Sequence, residues 1–212
     1  MFDTILFDLD GTLINSAEGI TGGVEYALKA HGYPPLPYEI REKFIGPPLR
    51  GSFREYCGVS EEEAEQLLAT YRVYYAERGV HETKPYPGIP ALLEKLKKAG
   101  KALFVATAKP TKYSRIILEE WNLAHYFEEI VGAGFDKNFD SKDKIIALAM
   151  SMAKGKNFLM VGDTVFDVIG ARANGLPTLG VLYGFGDKEA FLEAKPEYLA
   201  ETVEEIGELI CS

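Results

Sequence analysis

Near the start of the chain a short apolar run, Ile5-Leu6-Phe7, breaks into Asp8-Leu9-Asp10-Gly11-Thr12-Leu13, and no other stretch restricts the fold as much. An apolar run of this length that ends in polar residues reads as a buried strand. Side chains alternate along a strand, so Asp8 and Asp10 point the same way while Leu9 points into the core. Two carboxylates on one side of a strand end repel one another. A cation, a proton or a reacting group must compensate them. Gly11 then allows the backbone to turn or to approach a neighbour closely.

Behind this strand the spacing of apolar residues becomes helical. Ser16 is placed to cap a helix running to His31, with Ile20, Val24, Ala27 and Leu28 on one face and Gly32 as its stop. Pro34, Pro35 and Pro37 make a stiff connection, followed by short helices expected over 39–44 and 49–56. Ser60-Glu61-Glu62-Glu63 is a capping-box pattern, and Leu67, Leu68, Tyr71 and Tyr75 repeat at helical spacing behind it. No strand is expected between 14 and 80.

From Pro85 onward strands and helices alternate. Helices are expected from Ile89, over 112–122, over 143–153 and from Asp163 to Asn174, with a last one after Thr202. Strands are expected over 102–106, 129–132, 158–161 and 178–182, with a marginal one over 197–199. Such alternation predicts a parallel sheet covered on both faces. The expected architecture is therefore α/β: a Rossmann-like parallel-sheet core of residues 1–14 and 84–212, with an inserted helical cap over 15–83.

Composition narrows the function classes. A chain of 212 residues with 47% hydrophobic and 26% charged residues can bury a good core. Its net charge of -9 argues against nucleic acid as a main partner, because no overall basic field attracts phosphate backbones. An acidic chain that handles phosphate groups needs a local cation instead. Cys57 and Cys211 are too few for a disulfide framework, no apolar run approaches membrane-spanning length, and the chain starts at its first strand. A cytoplasmic protein without membrane contact is expected.

Three apolar strands end in polar groups: Asp8 with Asp10, Thr107, and Asp163. In open α/β sheets, strand C-termini form the ligand crevice. Gly162-Asp163-Thr164-Val165-Phe166-Asp167 adds a second acid; if Asp163 begins a helix, Asp167 lies one turn on along the same face. Asp163 could equally be an ordinary N-cap. Four carboxylates and a backbone carbonyl suit a hard cation such as Mg²⁺. His31, His81 and His125 lie in no metal-spaced cluster, and the glycines of Tyr183-Gly184-Phe185-Gly186 prove nothing alone, although this loop follows a strand and could form the rim of the site.

The string from Ile5 to Leu13 resembles the DxDGT signature of the haloacid dehalogenase superfamily in its phosphatase branch, and GDxxxD at 162–167 matches a further motif of that superfamily. The resemblance implies that Asp8 is the nucleophile and Asp10 the general acid/base. Thr107 corresponds to the family's Thr/Ser that hydrogen-bonds a phosphoryl oxygen, with Ala108 and Gly11 expected as further substrate-binding positions. Lys142 is the best match to the family's catalytic lysine, ahead of Lys144, with Lys109 also close to Thr107. Asp8, Asp10, Asp163 and Asp167 correspond to the Mg²⁺ site. By the same resemblance the chain is phosphoglycolate-phosphatase-like, acting on a small phosphate ester as a monomer or homodimer. Arg50, behind Gly46-Pro47-Pro48, is the expected contact for a substrate carboxylate. A phosphosugar mutase is the alternative, since the same aspartyl-phosphate could return its phosphoryl to an intermediate; a phospho-accepting signalling domain is the more distant one.

Overall fold

The structure, a computed structural model, describes residues 2–134 and 141–211. The chain forms two compact units: Met1–Ile14 with Pro85–Ser212, and Asn15–Lys84. In the first unit β1 (Thr4–Phe7) is the apolar run read above. The chain leaves it through β2 (Ile14–Asn15).

The second unit is helical, with α1 (Ala17–Ala30), α2 (Tyr38–Glu42), α3 (Leu49–Cys57) and α4 (Glu61–Tyr74), the last extended by a π-helical turn over Tyr75–Gly79. The capping box forms as expected: the Ser60 hydroxyl accepts from the Glu63 N–H while the Glu63 carboxylate accepts from the Ser60 N–H. Ser16 sits at the N-cap of α1 but makes no capping bond. Asn15 takes that role, its side-chain oxygen accepting from the Ala17 N–H at 3.1 Å.

After β3 (Lys84–Pro85), which pairs with β2, the first unit resumes. Its elements are α5 (Ile89–Lys98), β4 (Ala102–Pro110), α6 (Thr111–Glu120), β5 (Glu129–Ala133), α7 (Lys142–Met152), β6 (Phe158–Gly162), α8 (Val165–Ala173), β7 (Thr178–Val181), α9 (Lys188–Glu193), β8 (Tyr198–Ala200) and α10 (Val203–Cys211). Six strands form one sheet in the order β5-β4-β1-β6-β7-β8, and every neighbouring pair is parallel.

Alternating residues of β1 face opposite ways, yet Ile5, Leu6 and Phe7 are all fully buried, so both faces of the sheet are covered. On one face Leu6, Phe104, Ala106 and Met160 pack with Ile145, Ile146 and Ala149 of α7 and Ala171 of α8. Phe7 on the other face meets Phe127 edge-on. β1 lies between β4 and β6, with Phe7 level with both Val105 and Val161. The residues that follow those three positions therefore emerge together at one edge of the sheet. Among the described residues no helix is long and apolar enough to cross a membrane.

Three local expectations differ from the structure. β2, inside the stretch read as strand-free, is only two residues long and carries no periodicity. α9 was not expected; its six residues bury Phe191 alone, and it is started by Asp187, whose side chain accepts from the Ala190 N–H. α8 is capped by Thr164 rather than by Asp163, which frees Asp163 for other contacts.

Candidate active site

Asp8 directly follows β1 and is 8% exposed. Its Oδ1 accepts from the Leu9 N–H at 2.8 Å and from the Lys142 ammonium at 2.8 Å. The Thr107 hydroxyl hydrogen-bonds to the same carboxylate; Thr107, expected from sequence to end its strand, lies within β4, which continues irregularly to Pro110. Lys142, the first residue of α7, also reaches Asp167 Oδ1 at 2.8 Å. The resulting pKa values follow from these contacts. Burial pushes Asp8 up to about 6; Lys142 pulls against this, and Asp167 adds to it by repulsion. Burial alone lowers an ammonium, but Asp167 and Asp8 together overcome that and hold Lys142 above its ordinary value.

Asp167 is fully buried at the first turn of α8. Its Oδ2 accepts from the N–H of Thr164 at 3.0 Å and from the Thr164 hydroxyl at 2.8 Å, closing a capping box that orients the carboxylate. Asp163, at the end of β6, is held by the loop after β7. Its Oδ2 accepts from the N–H groups of Phe185 at 2.8 Å and Gly186 at 3.3 Å, and its Oδ1 accepts from the Thr12 hydroxyl at 3.3 Å. That fit depends on glycines: a Cβ on Gly11, whose φ is +79°, would lie 2.1 Å from the Asp163 carboxylate, and one on Gly184 would lie 2.3 Å from its Cβ. Burial, then the charges of Asp167 and Asp8, push Asp163 well above the usual carboxylate range.

Carboxylate oxygens of Asp8, Asp163 and Asp167 lie within 4.8 Å of one another. These are hard oxygen donors, and three carboxylates against the single Lys142 ammonium leave a deficit of two positive charges. A divalent cation matches both the donor type and the charge. Asp10, the fourth acid proposed from sequence, stands apart from that trio. Both of its oxygens are engaged by the Lys109 ammonium, at 2.9 and 2.7 Å.

Of the remaining residues put forward from sequence, Thr107 is buried beside Asp8, Gly11 lies against Asp163, and Ala108 is exposed. Arg50, in the helical unit, pairs with Glu65 of α4. Sequence reasoning named Lys109 and the loop from Tyr183 to Gly186 near the site without assigning them their contacts. Lys109 was only one of several lysines near a polar strand end. The backbone N–H groups of Phe185 and Gly186 carry no side-chain signal, although two glycines in four residues after a strand mark a loop able to approach closely. Tyr183 ties that loop to the first one by donating to the Thr12 carbonyl at 2.9 Å.

Residues 5–181 match the haloacid dehalogenase-like hydrolase family. A 5'-nucleotidase of Pseudomonas aeruginosa is 36% identical over 93% of this chain and 90% of its own length. The tyrosine-protein kinase PtkA of Mycobacterium tuberculosis is 34% identical over 97% of this chain and 72% of its own. A phosphoglycolate phosphatase of Caulobacter vibrioides is 33% identical over 90% and 82%. The crystal structure of a predicted phosphatase from Clostridium acetobutylicum superposes with a TM-score of 0.93, 43% identity, and coverage of 99% of this chain and 98% of that one.

Proposed function

The chain belongs to the haloacid dehalogenase-like hydrolases, and from that premise we propose that it is a Mg²⁺-dependent phosphatase that hydrolyses a small phosphomonoester through a phosphoryl group carried on Asp8. The observation that carries this is the setting of Asp8: a buried carboxylate at a strand end, held by Lys142 on one oxygen, with two further buried acids close by. Relatives named as phosphatases and as a nucleotidase support the class of reaction.

Asp8 attacks phosphorus in line with the leaving oxygen, so the phosphorus–ester oxygen bond breaks as the phosphorus–carboxylate bond forms. Lys142 favours the ionised form of Asp8 against burial and would offset charge on the phosphoryl oxygens, one of which the Thr107 hydroxyl beside Asp8 would hydrogen-bond. Asp10 gives its proton to the departing oxygen, then takes one from the water that cleaves the acyl phosphate. Asp8, Asp163 and Asp167 would hold the metal, with Asp10 completing the set implied by family resemblance; when bound, the cation supplies further neutralisation of the phosphoryl charge. Substrate choice falls to the helical unit acting as a cap, with Arg50 exchanging Glu65 for a substrate carboxylate.

Release of inorganic phosphate from a panel holding phosphoglycolate, a nucleoside 5'-monophosphate and nitrophenyl phosphate tests this. Turnover on at least one ester, stopped by EDTA and restored by Mg²⁺, is expected. Transfer of the phosphoryl to another acceptor with no phosphate released, or full activity of metal-free protein, would contradict it.

A further inference from the structure

We propose that Lys109 is a positioning residue for Asp10, fixing the carboxylate that exchanges protons with the leaving group and the attacking water. The inference rests on the phosphatase reading above and adds to it a residue that reading does not require.

The backbone around Lys109 is irregular in a way that places this side chain. β4 pairs regularly with β5 up to Thr107, then shifts register before Pro110. An irregularity of this kind bends a strand and redirects the side chains it carries. The Thr107 hydroxyl oxygen accepts from the Lys109 N–H at 3.2 Å, bracing the irregular segment from within. On the neighbouring strand Gly132 approaches so closely that a Cβ there would lie 2.4 Å from the Lys109 carbonyl oxygen and 2.6 Å from the Thr111 nitrogen. The Gly132 N–H in turn donates to the Thr111 hydroxyl at 3.0 Å.

The redirected side chain is buried, 5% exposed, and its ammonium reaches both oxygens of Asp10. Contact with both oxygens restricts rotation of the carboxylate about its last torsion, which a single bond would leave free. Two buried lysines thus meet the acids of the site: Lys142 pairs with Asp8 and Asp167, and Lys109 with Asp10. A proton donor displaced by about 1 Å loses about a hundredfold in rate, so holding this carboxylate is a kinetic function as well as a structural one.

The test compares D10N, K109M and the double variant on an alkyl phosphate, whose leaving group needs a proton, and on nitrophenyl phosphate, whose leaving group needs little. D10N examines the parent reading and is expected to lose about 10²–10⁴-fold on the alkyl ester, and far less on the aryl one. If Lys109 positions Asp10, K109M shows the same bias, losing about ten- to a hundredfold more kcat/KM on the alkyl than on the aryl ester. Adding K109M to D10N then costs little beyond D10N alone, and K109R recovers part of the alkyl activity. K109R and K109Q carry the comparison if K109M does not fold. Equal losses on both esters, or effects of K109M and D10N that multiply, would overturn the role of Lys109 while leaving that of Asp10 intact. D10N without leaving-group bias would defeat the parent reading, and this inference with it.

Discussion

At Asp8, burial and the Lys142 ammonium act in opposite directions, and burial prevails: the carboxyl titrates near 6 instead of 3.8. For an acid whose folded pKa is raised, the protonated form is the one the fold favours. In metal-free protein its contribution to stability is present at low pH and is lost as pH rises from about 4 through about 6. A proton and a divalent cation compete for this carboxylate, so the rise in Tm produced by Mg²⁺ should be small at pH 5 and large at pH 7.5. At pH 5 only about a tenth of Asp8 is ionised, which weakens metal binding about tenfold from this group alone. Thermal shifts measured at both pH values check this; equal shifts would show that Asp8 is not a ligand. Lys142 has a different thermodynamic role. Its removal strands the buried carboxylates of Asp8 and Asp167, so Lys142→Met should destabilise the metal-free protein by about 3–5 kcal/mol in denaturant unfolding, as loss of one partner of a buried ion pair does.

The segments that follow β1, β6 and β7 and the irregular last residues of β4 carry the candidate site, and they differ in how far the sequence discloses them. Asp8, Thr107 and Asp163 each follow an apolar run, so strand periodicity placed all three at strand ends; Asp8 and Asp163 do follow β1 and β6, whereas β4 runs on past Thr107 to Pro110. Asp167 was legible from its spacing, although the cap of α8 proved to be Thr164, because a hydroxyl and a carboxylate at adjacent positions satisfy N-cap chemistry equally well. The loop after β7 was legible as a possible rim of the site, but its hold on Asp163 was not, since it acts through main-chain N–H groups that every residue possesses. The two-oxygen contact of Lys109 depends on a strand irregularity, which no side-chain pattern announces. Gly184→Ala tests the loop as an element. Its Cβ would overlap that of Asp163, so the loop must retreat and the N–H bonds lengthen. A several-fold or greater rise in the Mg²⁺ concentration needed for half-maximal activity is expected, and an unchanged requirement would show that the loop does not orient Asp163. In the helical unit the capping box of α4 is a local device with a local effect. Ser60→Ala should cost about 1 kcal/mol in denaturant unfolding and leave kcat nearly unchanged.

For the whole molecule, the alternation of strands and helices after residue 85 carried the fold class, because a parallel sheet buried on both faces needs near-continuous apolar runs, and these stand out in sequence. The helical character of the stretch between β2 and β3 was legible for the complementary reason that its apolar residues repeat at helical spacing. What substrate the helical unit admits was not, since Arg50 is answered within that unit by Glu65 and its sequence context gives no further selection. A chain of net charge -9 that works on phosphate esters must concentrate cations at one place. The buried lysines at 109 and 142 supply part of that concentration, and a divalent ion held by Asp8, Asp163 and Asp167 would supply the rest. The central claim is that phosphoryl transfer passes through Asp8. Acid quenching of the enzyme during turnover with Mg²⁺ and an aryl phosphate, followed by peptic digestion and mass spectrometry, examines it most directly. A phosphoryl adduct on the peptide at Asp8, absent from the Asp8→Asn protein together with turnover, is the predicted result; an adduct on another residue, or an Asp8→Asn protein that still releases phosphate at the wild-type rate, would contradict it.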